Sequence, residues 1–272
     1  MNNYIKISIT CQGDDAEILI AFLGEMGYDG FEEIAGALLA YISMEQFNHD
    51  ALAALLSKKN FPFSRETIME RNWNEEWEKD FEPVVIGDFC AIRASFHKPV
   101  DRVQYDLVIT PKMSFGTGHH ATTRLMVNMM ATTAFEGRSV LDFGTGTGIL
   151  AILAEKLGAR SVLGIDIDPW SISNAMENMD MNDCRAIHIE QNDHIPEGKK
   201  YGVILANINK HVILQHLNIL SQQLEMEGVL LISGFLSGDL DDIMHAVSDH
   251  ALKITGKSGE EDWLCLKLEK HL

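Results

Sequence analysis

Several sequence features are missing from this 272-residue chain. It has no run of about 18 consecutive apolar residues, so it predicts no transmembrane helix. The N-terminal residues MNNYIKISITCQGDD lack a basic stretch followed by an apolar one and predict no signal peptide. Cysteine is scarce, and Cys11, Cys90, Cys184 and Cys265 form no CxxC pair, which indicates neither a zinc site nor a disulfide framework. Reduced cysteines are typical of a cytoplasmic protein, and we expect that location.

Positive charge is also low. The chain has 22 Lys and Arg against 40 Asp and Glu, a formal net charge of −18. Because nucleic acids bind surfaces rich in Lys and Arg, we expect no direct nucleic-acid contact, and we expect no membrane contact. A basic partner fits the charge better. The imbalance is greatest in residues 1–56, where nine acidic residues face Lys6 alone, although an acidic surface that only interacts with solvent would give the same pattern.

The hydrophobic pattern predicts two domains. Over residues 1–70 it indicates the order β-α-β-β-α with a possible final strand, which predicts a small α+β ferredoxin-like domain. Residues 71–83 predict a linker helix, because Trp73, Trp77 and Phe81 share one helical face. Over residues 84–272, short apolar strands alternate with helices. This predicts an α/β, doubly wound, mostly parallel seven-stranded Rossmann-like domain.

The clearest local motif follows the predicted strand SVLDF. Asp142 is followed by Gly144, Gly146 and Gly148, and a helix is predicted to begin directly afterwards. Glycines at this place allow a sharp turn and a close approach of the backbone to a ligand. The dinucleotide-binding fingerprint G-x-G-x-x-G requires glycine at position 149, where this chain has Ile149. The spacing therefore disfavours a pyrophosphate ligand.

A carboxylate ends the next predicted strand. Asp166 stands 22 residues after Gly144, where a carboxylate accepts hydrogen bonds from ribose hydroxyls. A nucleoside site without a strong phosphate site fits S-adenosyl-L-methionine (AdoMet). Asn192 and Asp193 follow the strand after that and are candidates for the adenine edge, with an ordinary turn as the alternative.

Two further segments predict contacts with a ligand. Ala206 and Asn207 end the buried strand YGVILAN, where the carbonyl of Ala206 and the amide oxygen of Asn207 could orient an amine. The alternative role for Asn207 is a helix N-cap, for which Asn209 is also placed. Residues 113–123, MSFGTGHHATT, predict a ligand-wrapping loop in which Phe115 is an apolar wall over the cofactor. Since no acidic residue or cysteine has ligand spacing to its histidine pair, we expect no metal.

The loop MSFGTGHHATT, the motif LDFGTGTGILAI, the strand GIDIDP and the ANI motif resemble the PrmA-type methyltransferases. These bacterial enzymes methylate the eleventh protein of the large ribosomal subunit. The likeness covers roughly residues 71–272, and the first seventy residues match mainly in the order of their elements. Three family positions differ here: His119 replaces a small residue, Ala121 replaces proline, and Asn209 stands where the family tends to have an apolar residue.

The resemblance implies an AdoMet-dependent enzyme that trimethylates the N-terminal amine and lysine amines of a basic ribosomal protein and releases S-adenosyl-L-homocysteine. It also implies a recruiting N-terminal domain, and cofactor contacts from Thr123, Gly144, Asp166 and Asn207. The predicted catalytic residues are Asn207, Ala206 and Phe115. The predicted cofactor-binding residues are Thr123, Thr122, Gly144, Gly146, Asp166, Asn207, Phe115, Asp142 and Asp193. The alternatives are an AdoMet-dependent enzyme acting on another protein, a small molecule or a nucleic acid, a nucleotide-binding dehydrogenase, and a non-catalytic binding module.

Overall fold

A computed structural model of the chain describes residues 4–11, 15–34, 36–57, 61–68, 81–112, 114–196 and 198–271. The chain divides into two compact units, Met1–Asp80 and Phe81–Leu272. Most of the linker helix predicted over 71–83 lies outside the described residues, since only 81–83 are described. The division between the units falls three residues before the predicted start of the larger domain at 84.

The first unit contains four strands and two helices among its described residues. In chain order they are β1 (Tyr4–Thr10), α1 (Asp15–Glu25), β2 (Gly30–Ile34), β3 (Ala37–Ser43), α2 (His49–Ser57) and β4 (Phe63–Ile68). The strands form one antiparallel sheet of order β2-β3-β1-β4. Alternate side chains of β1 point into the core, because Ile5, Ile7 and Ile9 are all buried. The order of elements matches the sequence pattern.

The second unit contains a small sheet, a large sheet and five α-helices among its described residues. The small sheet joins β5 (Val84–Ile86), β6 (Cys90–Ala94) and β7 (Tyr105–Ile109). The helices are α3 (Ala121–Ala131), α4 (Ile149–Lys156), α5 (Pro169–Met181), α6 (Lys210–Gln223) and α7 (Leu240–Ser248). The remaining strands are β8 (Ser139–Phe143), β9 (Ser161–Asp166), β10 (Ile187–Gln191), β11 (Tyr201–Asn207), β12 (Leu224–Leu236), β13 (Leu252–Glu260) and β14 (Trp263–Lys270).

The large sheet is mixed, with the strand order β10-β9-β8-β11-β12-β14-β13. Strands β8 to β12 run parallel, whereas β14 runs antiparallel to both β12 and β13. Both faces are buried, since Val140 and Leu141 are neighbours in β8 but belong to two different apolar clusters. Helices α3 and α4 contribute to one cluster, and α6 and α7 contribute to the other. The prediction of an α/β fold around a central sheet is confirmed.

One boundary differs from the sequence pattern. The helical pattern predicts a helix up to Met226, but α6 ends at Gln223 and β12 begins at Leu224. Leu224 is buried and pairs with Tyr201, so packing on the sheet outweighs helical propensity there. None of the helices in the described part of the chain is long and apolar enough to span a membrane.

Candidate active site

The glycine loop after β8 has a backbone that only glycine adopts easily. Gly144, Gly146 and Gly148 have φ angles of 77°, 54° and 77°. A Cβ atom on Gly144 would lie 2.3 Å from Cγ2 of Ile208, and one on Gly146 would lie 2.3 Å from the carbonyl oxygen of Phe115. The glycines therefore allow this loop to touch the segments that follow β11 and β7.

Asp142 lies beneath the glycine loop. Its side chain is buried, and Oδ2 accepts a hydrogen bond of 2.7 Å from Oγ1 of Thr145. Burial raises the pKa of the Asp142 carboxyl to about 7; the hydrogen bond from Thr145 opposes this rise, and the negative charge of Asp166 adds to it. Asp142 is not among the residues that line the main cleft, so its observed role is to hold Thr145.

Asp166 lies in the cleft at the end of β9. Its Oδ2 accepts a hydrogen bond of 2.9 Å from the backbone N–H of Gly146, and its Oδ1 accepts one of 3.0 Å from the N–H of Asp168. These bonds fix the carboxylate, and each oxygen keeps a further lone pair for a ligand. The carboxylate is therefore oriented before any ligand binds.

The two candidates for the adenine edge are placed differently. Asn192 lines the cleft, whereas Asp193 is not among the lining residues and its side chain is largely exposed. The Asp193 carboxylate instead accepts a hydrogen bond of 2.8 Å from Nδ1 of His194, which holds the pKa of Asp193 below its usual value. Of this pair, Asn192 is the residue in position to meet a ligand.

Asn207 ends β11, whose residues are all buried, and its side chain lines the cleft. In the described part of the chain, Oδ1 of Asn207 and Oγ1 of Thr123 are buried and have no hydrogen-bond partner. Both residues line a small cavity of about 10 Å³ beside Gly144. Asn209 caps α6, because its Oδ1 accepts a hydrogen bond of 3.1 Å from the N–H of Val212. The N-cap role that was the alternative for Asn207 is thus taken by Asn209.

The loop over residues 114–120 is fastened to the glycine loop. Thr147 donates from its N–H to the carbonyl oxygen of Phe115 over 2.9 Å, and from Oγ1 to the carbonyl oxygen of Gly116 over 2.8 Å. The Phe115 side chain is half exposed and lines the cleft. Any ligand that binds along the glycine loop therefore lies close to Phe115.

Three residues of this site gave no signal in the sequence. Arg124 donates from Nε to Oε1 of Glu260 over 2.8 Å, and its guanidinium also donates to the carbonyl oxygen of His119. This ties the 114–120 loop to β13. Trp263, which begins β14, lines the cleft. Arg124 and Glu260 are 136 residues apart, so only the folded chain reveals their pairing.

The main cleft has a volume of about 470 Å³ at the carboxyl end of the parallel strands. The predicted site residues that line it are Phe115, Thr122, Gly144, Gly146, Asp166 and Asn207. Thr123 lies in the small adjoining cavity, and Ala206 is fully buried one residue before Asn207. Among the described residues, no cluster of three or more His, Cys, Asp or Glu is arranged to hold a metal ion.

The mixed sheet and a cleft at its carboxyl edge place the second unit in a known structural class. A methyltransferase from Pyrococcus furiosus superposes with a TM-score of 0.51 and 16% identity, covering 61% of this chain and 90% of that one. A ribosomal protein L11 methylase from Lactobacillus delbrueckii subsp. bulgaricus superposes with a TM-score of 0.66 and 29% identity, covering 71% of this chain and all of the other. The fold is a methyltransferase-like α/β fold.

Sequence comparison gives the family. The model of the family described as ribosomal protein L11 methyltransferase (PrmA) matches residues 15–271. Proteins named ribosomal protein L11 methyltransferase are 37% identical in Bacteroides fragilis, covering 92% of each chain, and 35% identical in Phocaeicola vulgatus, covering 97% of this chain and 98% of the other. The chain belongs to the ribosomal protein L11 methyltransferase family, which confirms the resemblance seen in its motifs.

Proposed function

We propose that the chain is an AdoMet-dependent N-methyltransferase that trimethylates the N-terminal amine and lysine amines of ribosomal protein L11. The observation that carries the proposal is the buried Oδ1 of Asn207 in the cleft, which has no partner among the described residues. A buried unpaired acceptor costs about 1–3 kcal/mol, and an N–H donor that binds there removes this cost. Since an amide oxygen only accepts hydrogen bonds, a substrate with a donor there is required, and an amine N–H meets this requirement.

The residues around the cleft fit AdoMet as the cofactor. Asp166 would accept hydrogen bonds from the ribose hydroxyls, and Gly144 and Gly146 leave room for close approach of the backbone. The buried hydroxyl of Thr123 would form a hydrogen bond with the amino-acid part of the cofactor. AdoMet would supply a methyl group carried on a sulfonium. The lone pair of the amine nitrogen would form a bond to the methyl carbon while the bond from that carbon to sulfur breaks, and the electron pair of the broken bond would stay on sulfur.

The protein residues would act on the amine mainly through positioning and desolvation. At pH 7 a lysine of pKa about 10.4 is only roughly 0.04% neutral. Removing water from the cleft lowers that pKa, and Asn207 with the carbonyl of Ala206 would hold the neutral amine. Among the described residues that line the cleft, Asp166 is the one carboxylate, and its oxygens already accept two backbone N–H groups. We therefore assign the proton to water and assign no dedicated base.

The two units would divide the work. We assign residues 1–70, as a ferredoxin-like domain, to recruitment of a basic ribosomal protein, residues 71–83 to the linker, and residues 84–272 to methyl transfer. The nine acidic residues against Lys6 in residues 1–56 support this assignment. We place the protein in the cytoplasm, where it would meet such a substrate, without direct contact with nucleic acid or membrane.

The proposal is tested by supplying radiolabelled AdoMet with separate pools of total ribosomal protein, tRNA and small metabolites. We expect label in a single ribosomal protein of the mass of L11. The Asn207→Ala variant should leave that protein nearly unlabelled while still binding S-adenosylhomocysteine. Label in tRNA or in a small molecule, with none in ribosomal protein, would contradict the proposed substrate.

A further inference from the structure

Three aromatic rings lie together along the cleft. Phe115, His120 and Trp263 all line it. The ring centroids of Phe115 and His120 are 5.2 Å apart at an interplanar angle of 59°, and those of His120 and Trp263 are 4.7 Å apart at 68°. Because neighbouring rings are steeply inclined to each other, the three rings do not form a flat stack. They surround this part of the cleft with both ring faces and ring edges.

The order of strands places Trp263 on the substrate side of Asn207. Asp166 ends β9, Asn207 ends β11 two strands further on, and Trp263 begins β14 another two strands further on. At about 4.8 Å between strands, Asp166 and Trp263 stand about 19 Å apart across the sheet, with Asn207 midway. If Asp166 holds the ribose, Trp263 lies on the opposite side of the reacting nitrogen with His120 beside it, and Phe115 lies between them and the glycine loop.

The chemistry at this end suits a cation that has lost its hydrogen-bond donors. Asp166 is the one carboxylate among the described lining residues, so the lining groups near Trp263 that attract a cation are aromatic rings. The His120 ring is held in place, because its Nδ1 accepts a hydrogen bond of 3.3 Å from the N–H of Thr122 and lies 2.8 Å from Oγ1 of the same residue. Each methyl group that replaces an N–H removes a donor to Asn207, whereas attraction to the rings persists.

We propose that Phe115, His120 and Trp263 form an aromatic site that binds methylated ammonium groups and keeps a partly methylated amine in the cleft until the third methyl is added. This inference rests on the proposed function, because it assumes an amine substrate. Between transfers, the mono- and dimethylammonium must each lose a proton to water to free the lone pair. The trimethylated product has no N–H to lose and so no lone pair, and no further transfer follows.

The direct test is a binding measurement on the full chain saturated with S-adenosylhomocysteine. The probes are three forms of one short acetylated peptide with a single lysine. The lysine is unmodified, trimethylated, or replaced by the neutral isostere, in which a carbon atom takes the place of the quaternary nitrogen. Calorimetry should show that the trimethylated peptide binds on the order of tenfold more tightly than the neutral isostere. Trp263→Leu should abolish this difference, and Trp263→Phe should keep part of it.

The matched control is Trp170→Leu, because Trp170 is 80% exposed and does not line the cleft. It should leave the preference unchanged. If Trp263→Leu fails to fold by circular dichroism, Phe115→Leu serves instead, since Phe115 is half exposed. With L11 as substrate, either variant should accumulate mono- and dimethylated product where the original chain gives trimethylated product.

Equal affinity of the original chain for the trimethylated and the neutral peptide would overturn the aromatic site. So would a preference that persists in both Trp263→Leu and Phe115→Leu. The two proposals fail in different ways. A chain that prefers the trimethylated peptide but transfers no methyl to L11 contradicts the proposed function, whereas a chain that methylates L11 without this preference contradicts only the aromatic site.

Discussion

The two units differ in what they bury. All fifteen buried polar or charged side chains among the described residues belong to Phe81–Leu272, whereas the described part of Met1–Asp80 buries apolar side chains and Tyr28. Burying a polar group is unfavourable unless it is hydrogen-bonded. The first unit is thus organised around an apolar core, and any role in recognition must lie on its surface. The second unit also buries polar side chains.

Within the second unit, most buried polar groups have structural partners. Asn178 accepts from the N–H of Thr110 over 2.7 Å and donates to the carbonyl oxygen of Thr147 over 2.8 Å. Asn207 and Thr123 differ, because each has a buried oxygen without a partner in the described part of the chain and each also lines a cavity. The combination of an unpaired buried atom and an adjoining cavity distinguishes the candidate site from the scaffold.

The largest effect is expected from Asn207→Ala. Loss of the side chain proposed to position the amine should lower kcat on the order of a hundredfold at saturating AdoMet. Single-turnover kinetics at saturating L11 measures this. Asn218→Ala on the exposed side of α6 is the matched control. Turnover in Asn207→Ala equal to that of the original chain would remove Asn207 from the catalytic residues.

Removing the first unit should have the next largest effect. A fragment of residues 81–272 should bind S-adenosylhomocysteine as before but methylate intact L11 between about ten- and a hundredfold less efficiently, because the acidic surface proposed to recruit L11 is lost. Added salt should slow the full chain at low substrate concentration more than it slows the fragment. Equal efficiency of fragment and full chain on intact L11 would show that the acidic unit serves only solubility.

A tenfold loss of cofactor affinity is expected from a change at Asp166, the residue proposed to hold the ribose. Asp166→Ala should weaken S-adenosylhomocysteine binding at least about tenfold, since charge-assisted hydrogen bonds contribute about 1.5–3 kcal/mol each. Asp193→Ala is the matched control, because that carboxylate is exposed and is not among the lining residues. Titration calorimetry compares them. If Asp193→Ala weakened binding more than Asp166→Ala, the assignment of the ribose to Asp166 would be wrong.

The smallest effect on activity is expected from Asp142→Asn, whose main consequence is on stability. Burial raises the pKa of Asp142 in the folded chain to about 7, above its value of 3.8 when unfolded. Between about pH 4 and 7 the folded state therefore binds one proton more, and the free energy of unfolding falls as pH rises. Asp142→Asn should reduce this fall, as measured by urea unfolding across that range. An unchanged slope would contradict the raised pKa.

The parts of the site that could be predicted from the sequence are those set by strand ends. Gly144, Asp166 and Asn207 each stand where a predicted buried strand stops, and parallel strands bring such ends to one edge. The exact residue was harder to predict. Asn192, and not Asp193, faces the cleft, because neighbouring residues at a strand end point in different directions.

The parts that could not be predicted depend on packing between distant segments. The ion pair of Arg124 with Glu260 and the position of Trp263 beside His120 join α3 to the hairpin β13–β14, and no local pattern encodes that meeting. The predicted end of α6 was wrong for a related reason, since Leu224 pairs with a neighbouring strand and belongs to β12. The ion pair, the position of Trp263 and the end of α6 all depend on contacts between segments far apart in the sequence.

Mass spectrometry of purified L11 shows whether this chain methylates amines of ribosomal protein L11. L11 would be incubated with AdoMet and the full chain, digested, and mapped. We expect the N-terminal amine and specific lysines to gain mass in steps of one methyl group up to three, and Asn207→Ala to remove this gain. An unchanged mass of L11, under conditions in which the chain binds AdoMet, would contradict it.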